Sequence, residues 1–396
     1  TRCTTGWCRS AQTVAARRRS SSAIARSMRA REGGWRVDTA GSVGAAGFLQ
    51  HRVAKDVRVF LDTDGSGSGK AALVQASGQV KALISAYARA APMPQASVLH
   101  NDLAQSGLLG QSGDFEPLTR FGIPGLDFAA LGDIWAVHTH LDVSSRLGPG
   151  TLQHLGTTLL AVTRELATHP PQLEAKTESA VYYDLLGQKL VVYSMTTARG
   201  LGVGALALLG FAIFRLLRSG EVTGRQLLRS TGWTLLSALA GLLSALLVAV
   251  ILAQILQRPH GWFAMPLLSA PCFIGAGIGG VLAVLGLWRR RALATGMSAE
   301  SVFQTAWASG LLGWGGLLLL ATARSLGIGY LALWWVLPSS LAILVGQSVP
   351  RARLGLWLAS VVLGMTGLVQ LVVHMVPALA GLSGMFPVPP PGDVKL

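Results

Sequence analysis

Residues 230–256 read STGWTLLSALAGLLSALLVAVILAQIL, an uninterrupted run without a charged side chain. At 1.5 Å per residue a helix of this length rises about 40 Å, more than the ~30 Å hydrocarbon core of a bilayer. The run therefore predicts a transmembrane helix.

The composition of the whole chain agrees with a membrane protein. Its 396 residues have a mean hydropathy of +0.48, with 51% hydrophobic and 13% charged residues, which excludes an ordinary soluble protein. Beyond residue 200 the charged residues retreat into short clusters. The apolar runs between them predict six spans, at 200–217, 230–256, 262–288, 302–323, 325–348 and 354–381.

The orientation of these spans follows from the arginines in their connecting loops. The first, third and fifth loops hold nine arginines, and the second and fourth hold two, Arg258 and Arg324. Positively charged loops stay in the cytosol, so the odd loops are predicted to be cytosolic. The segment before the first span is then predicted to lie in the lumen.

The interiors of the predicted spans carry almost no acids or bases. His374 is the exception, and a hydrogen bond to a neighbouring helix is a simpler role for it than transport. A channel or transporter is therefore disfavoured.

The ends of the chain differ from its middle. Residues 1–36 hold nine arginines against Glu32 alone, a composition typical of a targeting or a disordered segment. A start at Thr1 rather than Met suggests a fragment. The middle segment has balanced charge, which excludes a nucleic-acid-binding surface, and residues 384–396 form a proline-rich tail. Three cysteines, Cys3, Cys8 and Cys272, exclude a disulfide scaffold.

The segment before the first span predicts an α/β layer structure. Its β-rich runs lie at 55–63, 70–76, 124–129 and 133–138, and its helical patterns near 79–91 and at 149–168. Asp64 and His138 stand at predicted strand ends, where α/β enzymes gather ligands. From spacing alone, surface or capping roles are the more common ones for two such residues so far apart in the sequence.

Several motifs in this segment occur in the order found in one enzyme family. They include VRVFLDTDGSGSGKAALVQASG at 57–78, FGIPGLDFA at 121–129 and VHTHLD at 137–142. Together with VYYDLLGQKLVVYS at 181–194, they resemble the zinc exopeptidases of peptidase family M28, and among these the multi-spanning branch of the endoplasmic reticulum. The resemblance covers roughly residues 47–381.

This resemblance implies a zinc-dependent aminopeptidase that acts on peptides. Asp64 and His138 take the places of two zinc ligands, and Asp142 that of an acid positioned behind the ligands. The fold class implied is a partial α/β zinc-exopeptidase-like lumenal domain at 37–199, followed by an all-α polytopic membrane domain at 200–383. The endoplasmic reticulum membrane is the implied location, with the vacuole or another endomembrane as the alternative.

Other family motifs are missing from the sequence. It has no His-x-Asp-Ser motif, no Asp-Asp pair for the bridging ligand and no Glu-Glu pair for the base; only Asp38 falls near the position of the base. A catalytic zinc site normally has three protein ligands. We therefore expect an incomplete and catalytically impaired peptidase. The alternative is a non-catalytic membrane scaffold or binding protein with a decayed peptidase-like domain.

Overall fold

A computed structural model describes residues 42–64, 68–77, 80–106, 113–136, 143–171, 178–256, 266–348 and 350–385. A small mixed sheet organises the first part of the chain. Its strands are β1 (Phe60–Asp64), β2 (Ser68–Ala76) and β3 (Gly125–Gly132). They lie in the order β1-β3-β2, with β3 parallel to β1 and antiparallel to β2.

The end of β3 differs from the prediction. The sequence predicts separate strands at 124–129 and 133–138, whereas one strand extends to Gly132 and a 3-10 turn follows at Ile134–Ala136. Asp133 adopts a left-handed backbone conformation with φ 54°, which ends the extended chain. Residues 137 and 138 lie outside the described residues.

Short helices surround the sheet. They are α1 (Val43–Phe48), a 3-10 turn at Arg52–Asp56, α2 (Lys81–Ala90), α3 (Val98–Gln105), α4 (Phe115–Arg120), a second 3-10 turn at Ser144–Arg146 and α5 (Pro149–Thr168). α5 occupies the predicted interval. α3 instead forms in a stretch without a helical pattern, where the Ser97 hydroxyl accepts a hydrogen bond from the Leu99 N–H at 3.2 Å and caps the helix.

The core lies where α2 and α5 cover one face of the sheet. Phe128 of β3 is fully buried and meets the ring of Tyr87 edge-on, with 5.2 Å between ring centroids. Burial raises the pKa of the Tyr87 phenol, whose hydroxyl donates to the Gln95 carbonyl at 3.2 Å. At the surface, Arg89 of α2 forms an ion pair with Glu165 of α5, and this lowers the pKa of Glu165.

Phe128→Ala is expected to lower the free energy of unfolding by about 3–5 kcal/mol, because it leaves a cavity among rigid neighbours. Thermal unfolding of the purified chain in detergent measures the loss. Phe121→Ala is the matched control, since the Phe121 side chain is 51% exposed and its loss leaves no cavity. Equal midpoints for the two variants would contradict the packing described for Phe128.

A hairpin leads from the sheet domain into the helical part. Strands β4 (Ala180–Leu185) and β5 (Lys189–Ser194) pair antiparallel, and helix α6 (Met195–Arg218) begins directly after β5. The Ser194 hydroxyl accepts from the Thr197 N–H at 3.0 Å and caps α6. The first long helix thus begins before residue 200, where the sequence places the start of its span.

Five more long apolar helices follow: α7 (Gly224–Leu256), α8 (Pro266–Ala294), α9 (Ala299–Arg324), α10 (Gly329–Ser348) and α11 (Pro350–Met385). Helices α6 to α9 are long and apolar enough to cross a membrane. α10 and α11 contain shorter apolar stretches, Gly329–Val345 and Trp357–Val373. His374 lies in α11, and its side chain is outside the described residues.

Candidate functional site

The candidate site lies at the edge of the sheet where two parallel strands end. Asp64 is the last residue of β1 and stands opposite Ala129 of β3. Because β1 and β3 run parallel, the chain leaves both at the same edge, and β3 continues from there towards His138. The described residues include the backbone of Asp64 but not its side chain. They do not include Asp38, His138 or Asp142. A close approach of Asp64 and His138 therefore stays a prediction.

A row of polar side chains lies one layer below Asp64. Asp62 of β1 stands opposite Asp127 of β3, which stands opposite Gln75 of β2. Asp62 and Asp64 share a face of the sheet, since side chains alternate along a strand. Asp127 is buried and accepts a hydrogen bond from the Gln75 amide at 3.2 Å.

Sequence reasoning missed this row. The available signal was the pattern Leu-Asp that occurs in both strands, as Leu61-Asp62 and Leu126-Asp127. The two acids become neighbours only through the register of β1 against β3. They bring negative charge close to the layer that holds Asp64.

His154 of α5 is a buried histidine with a structural role. Its Nδ1 accepts from the Ala71 N–H at 3.1 Å, and its Nε2 lies 3.1 Å from the Met93 carbonyl oxygen. Since Nδ1 is an acceptor, Nε2 carries the proton and donates to that carbonyl. Both ring nitrogens are used, so His154 holds α5 against β2 and does not serve as a metal ligand.

The described residues do not fit a zinc site. Among them there is no group of three histidine, cysteine, aspartate or glutamate side chains that could hold a metal ion. The sequence offers Asp64 and His138 as two ligands, whereas catalytic zinc takes three from the protein. The zinc implied by the family resemblance thus needs donors beyond this pair.

The sheet domain docks directly onto the helical bundle. The Asp102 carboxylate of α3 accepts a hydrogen bond at 2.8 Å from the Ile328 N–H, just before α10. The rings of Tyr183 in β4 and Tyr330 in α10 stack with centroids 4.3 Å apart. Gln370 of α11 donates to the Asp184 carbonyl at 2.6 Å. The loop between α9 and α10 therefore lies on the same side of the bundle as the sheet domain.

The residues of this docking contact are buried. Asp102 is 7% exposed and Tyr183 is 8% exposed. Burial raises the pKa of the neighbouring Tyr182 phenol, and the charge of Asp102 raises it further. The low local dielectric strengthens the hydrogen bonds that join the two parts.

Asp102→Ala is expected to cost about 1–3 kcal/mol of stability, since it leaves the half-buried Ile328 N–H without its acceptor. Asp102→Asn keeps an acceptor oxygen and should lose less. Asp114→Ala, at an exposed position, is the matched control. Thermal unfolding in detergent ranks the three variants by their midpoints. Equal midpoints for Asp102→Ala and Asp114→Ala would contradict the hydrogen bond described between Asp102 and Ile328.

Comparisons with known proteins identify a family and several relatives that this chain resembles. Residues 33–163 match peptidase family M28. Endoplasmic reticulum metallopeptidase 1 of Homo sapiens is 30% identical over 223 residues, which are 53% of this chain and 24% of that protein. The protein of the same name in Mus musculus is 30% identical over 221 residues, 53% of this chain and 25% of that protein.

A more distant relative belongs to another membrane. Vacuolar membrane protease of Yarrowia lipolytica is 24% identical over 243 residues, 60% of this chain and 24% of that protein. The chain thus spans about a quarter of the length of these curated relatives. No solved structure matches it significantly.

These findings confirm the resemblance and the fold class inferred from the sequence. A region that matches peptidase family M28 precedes a helical region with four helices that could span a membrane.

Proposed function

We propose that this chain, whose residues 33–163 match peptidase family M28, is a multi-pass endomembrane protein of the metallopeptidase type. The names of the relatives refer to the endoplasmic reticulum and to the vacuolar membrane, and the four helices long and apolar enough to cross a membrane suit either bilayer. Its peptidase-like domain would act on peptides in the lumen.

One observation carries this proposal. β1 and β3 are parallel neighbours, so the chain leaves both strands at one edge of the sheet, with Asp64 as the last residue of β1. We expect His138, which follows the end of β3 by six residues in the sequence, to lie near that edge. A carboxylate and an imidazole are ligand types that zinc accepts. We assign Asp64 and His138 as metal ligands and Asp142 as an acid that orients the histidine.

Catalysis by these residues alone is proposed to be impaired. The sequence has no Glu-Glu pair for a general base, and Asp38 is the weak substitute. A zinc site would need a third protein ligand as well. Zinc-dependent release of N-terminal amino acids from peptides tests the proposed function directly.

The missing motifs also favour the second candidate, a non-catalytic membrane scaffold. The buried contacts of Asp102 and Gln370 join the sheet domain firmly to the helices, which suits a rigid binding platform. Activity that stays absent after the missing motifs are supplied would select this reading.

The lumenal position of the sheet domain is supported by two independent features. The loops with nine arginines alternate with loops holding two. The loop at 325–328, one of the arginine-poor pair, contacts the sheet domain through Ile328. Both features put the sheet domain on the side opposite the arginine-rich loops.

A further inference from the structure

The end of the bundle opposite the sheet domain carries an exposed cluster of arginines. Its described members are Arg215, Arg218, Arg225, Arg229, Arg289, Arg290 and Arg291, all exposed. None of the seven forms an ion pair with another residue that the structure describes. Two acids, Glu221 and Glu300, stand at the same end, so the described part of this surface is strongly positive.

Two of these arginines lie beside Trp233, a half-buried tryptophan of α7. The Arg291 guanidinium carbon lies 5.3 Å from the ring centroid of Trp233. Arg229 precedes Trp233 by one helical turn and therefore shares its face of α7. Trp288 of α8 is buried in a hydrophobic cluster, and Trp233 packs against this cluster.

Both the tryptophan and the arginine side chains of this surface suit the headgroup region of a bilayer. Tryptophan rings favour the membrane–water interface, where one side of the ring is apolar and the other wet. A guanidinium resting on an indole face keeps its N–H groups in one plane and presents them to a phosphate or a carboxylate. The predicted spans put this arginine-rich end of α7 and α8 at the membrane surface, where lipid headgroups are within reach of Arg229 and Arg291.

We propose that the surface formed by Arg229, Trp233 and Arg291 binds the headgroup of an anionic phospholipid. Charge complementarity favours this ligand over a zwitterionic lipid, because the seven exposed arginines attract a headgroup with net negative charge. In a zwitterionic headgroup the repulsion of the cationic group offsets the attraction of the phosphate. Binding here needs no peptidase chemistry, so its failure and that of the proposed function are distinguishable.

Native mass spectrometry of the full chain tests this proposal. The detergent-purified chain is mixed with equal amounts of phosphatidylserine and phosphatidylcholine, and the ratio of the two bound lipids is measured. We expect a clear preference for phosphatidylserine. Each exposed arginine near the surface contributes on the order of fivefold, so R229Q/R291Q should reduce the preference by about 25-fold.

Arg324→Gln is the matched control, because it removes one exposed arginine at the opposite end of the bundle. It should leave the preference unchanged. Arg229→Gln alone, expected to lower the preference about fivefold, replaces the double variant if the latter misfolds. The proposal is overturned if wild type shows no preference, if R229Q/R291Q keeps it, or if Arg324→Gln lowers it as much. Displacement of phosphatidylserine by inorganic phosphate would assign the site to free phosphate and also overturn it.

Discussion

The 396-residue chain is expected to release no N-terminal residue from peptides, even with zinc present. Without a glutamate base near the metal, proton transfer alone loses about 10²–10⁴ in rate. Without a third protein ligand, zinc itself is held weakly. Asp64 and His138 are therefore expected to give weak zinc binding without turnover, and the assay is liberation of free amino acid from short peptides.

The decisive comparison supplies what the sequence lacks. A longer form, with the His-x-Asp-Ser, Asp-Asp and Glu-Glu motifs placed before Val37, should gain zinc-dependent activity. His138→Ala should abolish that gain, whereas the exposed Asp114→Ala should not. If the 396-residue chain were active and lost its activity on His138→Ala, the impairment would be wrong and Asp38 would be the first candidate for the base.

Glycosylation of engineered acceptors is expected to be all or none across the membrane. An acceptor placed near Arg258, in a loop outside the described residues, should be modified in microsomes. An acceptor near Arg290, at the arginine-rich end, should not. The charge bias of nine against two arginines dictates this result, and the contact of Ile328 with Asp102 agrees with it.

The sequence itself contributes no glycosylation to this experiment. Asn101 is the single asparagine of the sequence, and Asp102 and Leu103 follow it, so the natural chain has no acceptor motif. Every modified band therefore reports an engineered site. Modification near Arg290 with none near Arg258 would invert the orientation and move the peptidase-like domain to the cytosol.

Local sequence was sufficient for several of the longer helices of this protein, although not for the short helix α3. The uncharged run at 230–256 lies within α7, and the pattern at 149–168 became α5. Such patterns are readable because the backbone hydrogen bonds of a helix close within four residues. The candidate ligands Asp64 and His138 were found through the family resemblance, since spacing alone left surface and capping roles open.

Pairings between distant residues were beyond the reach of local patterns. The sequence between β1 and β2 gives no sign that β3 inserts between these strands, which is what aligns Asp62 with Asp127. The role of His154 depends on Ala71 and Met93, more than sixty residues away.

By itself the sequence predicted the long apolar helices, the charge bias of the loops between them and the resemblance of the sheet domain to peptidase family M28. The tertiary structure alone decided that the sheet domain docks on the helices, through Asp102 and Ile328, which are 226 residues apart. The physical reason is that hydropathy and charge act along the chain within a few residues. A buried carboxylate instead takes its meaning from whichever N–H group the folded chain brings to it.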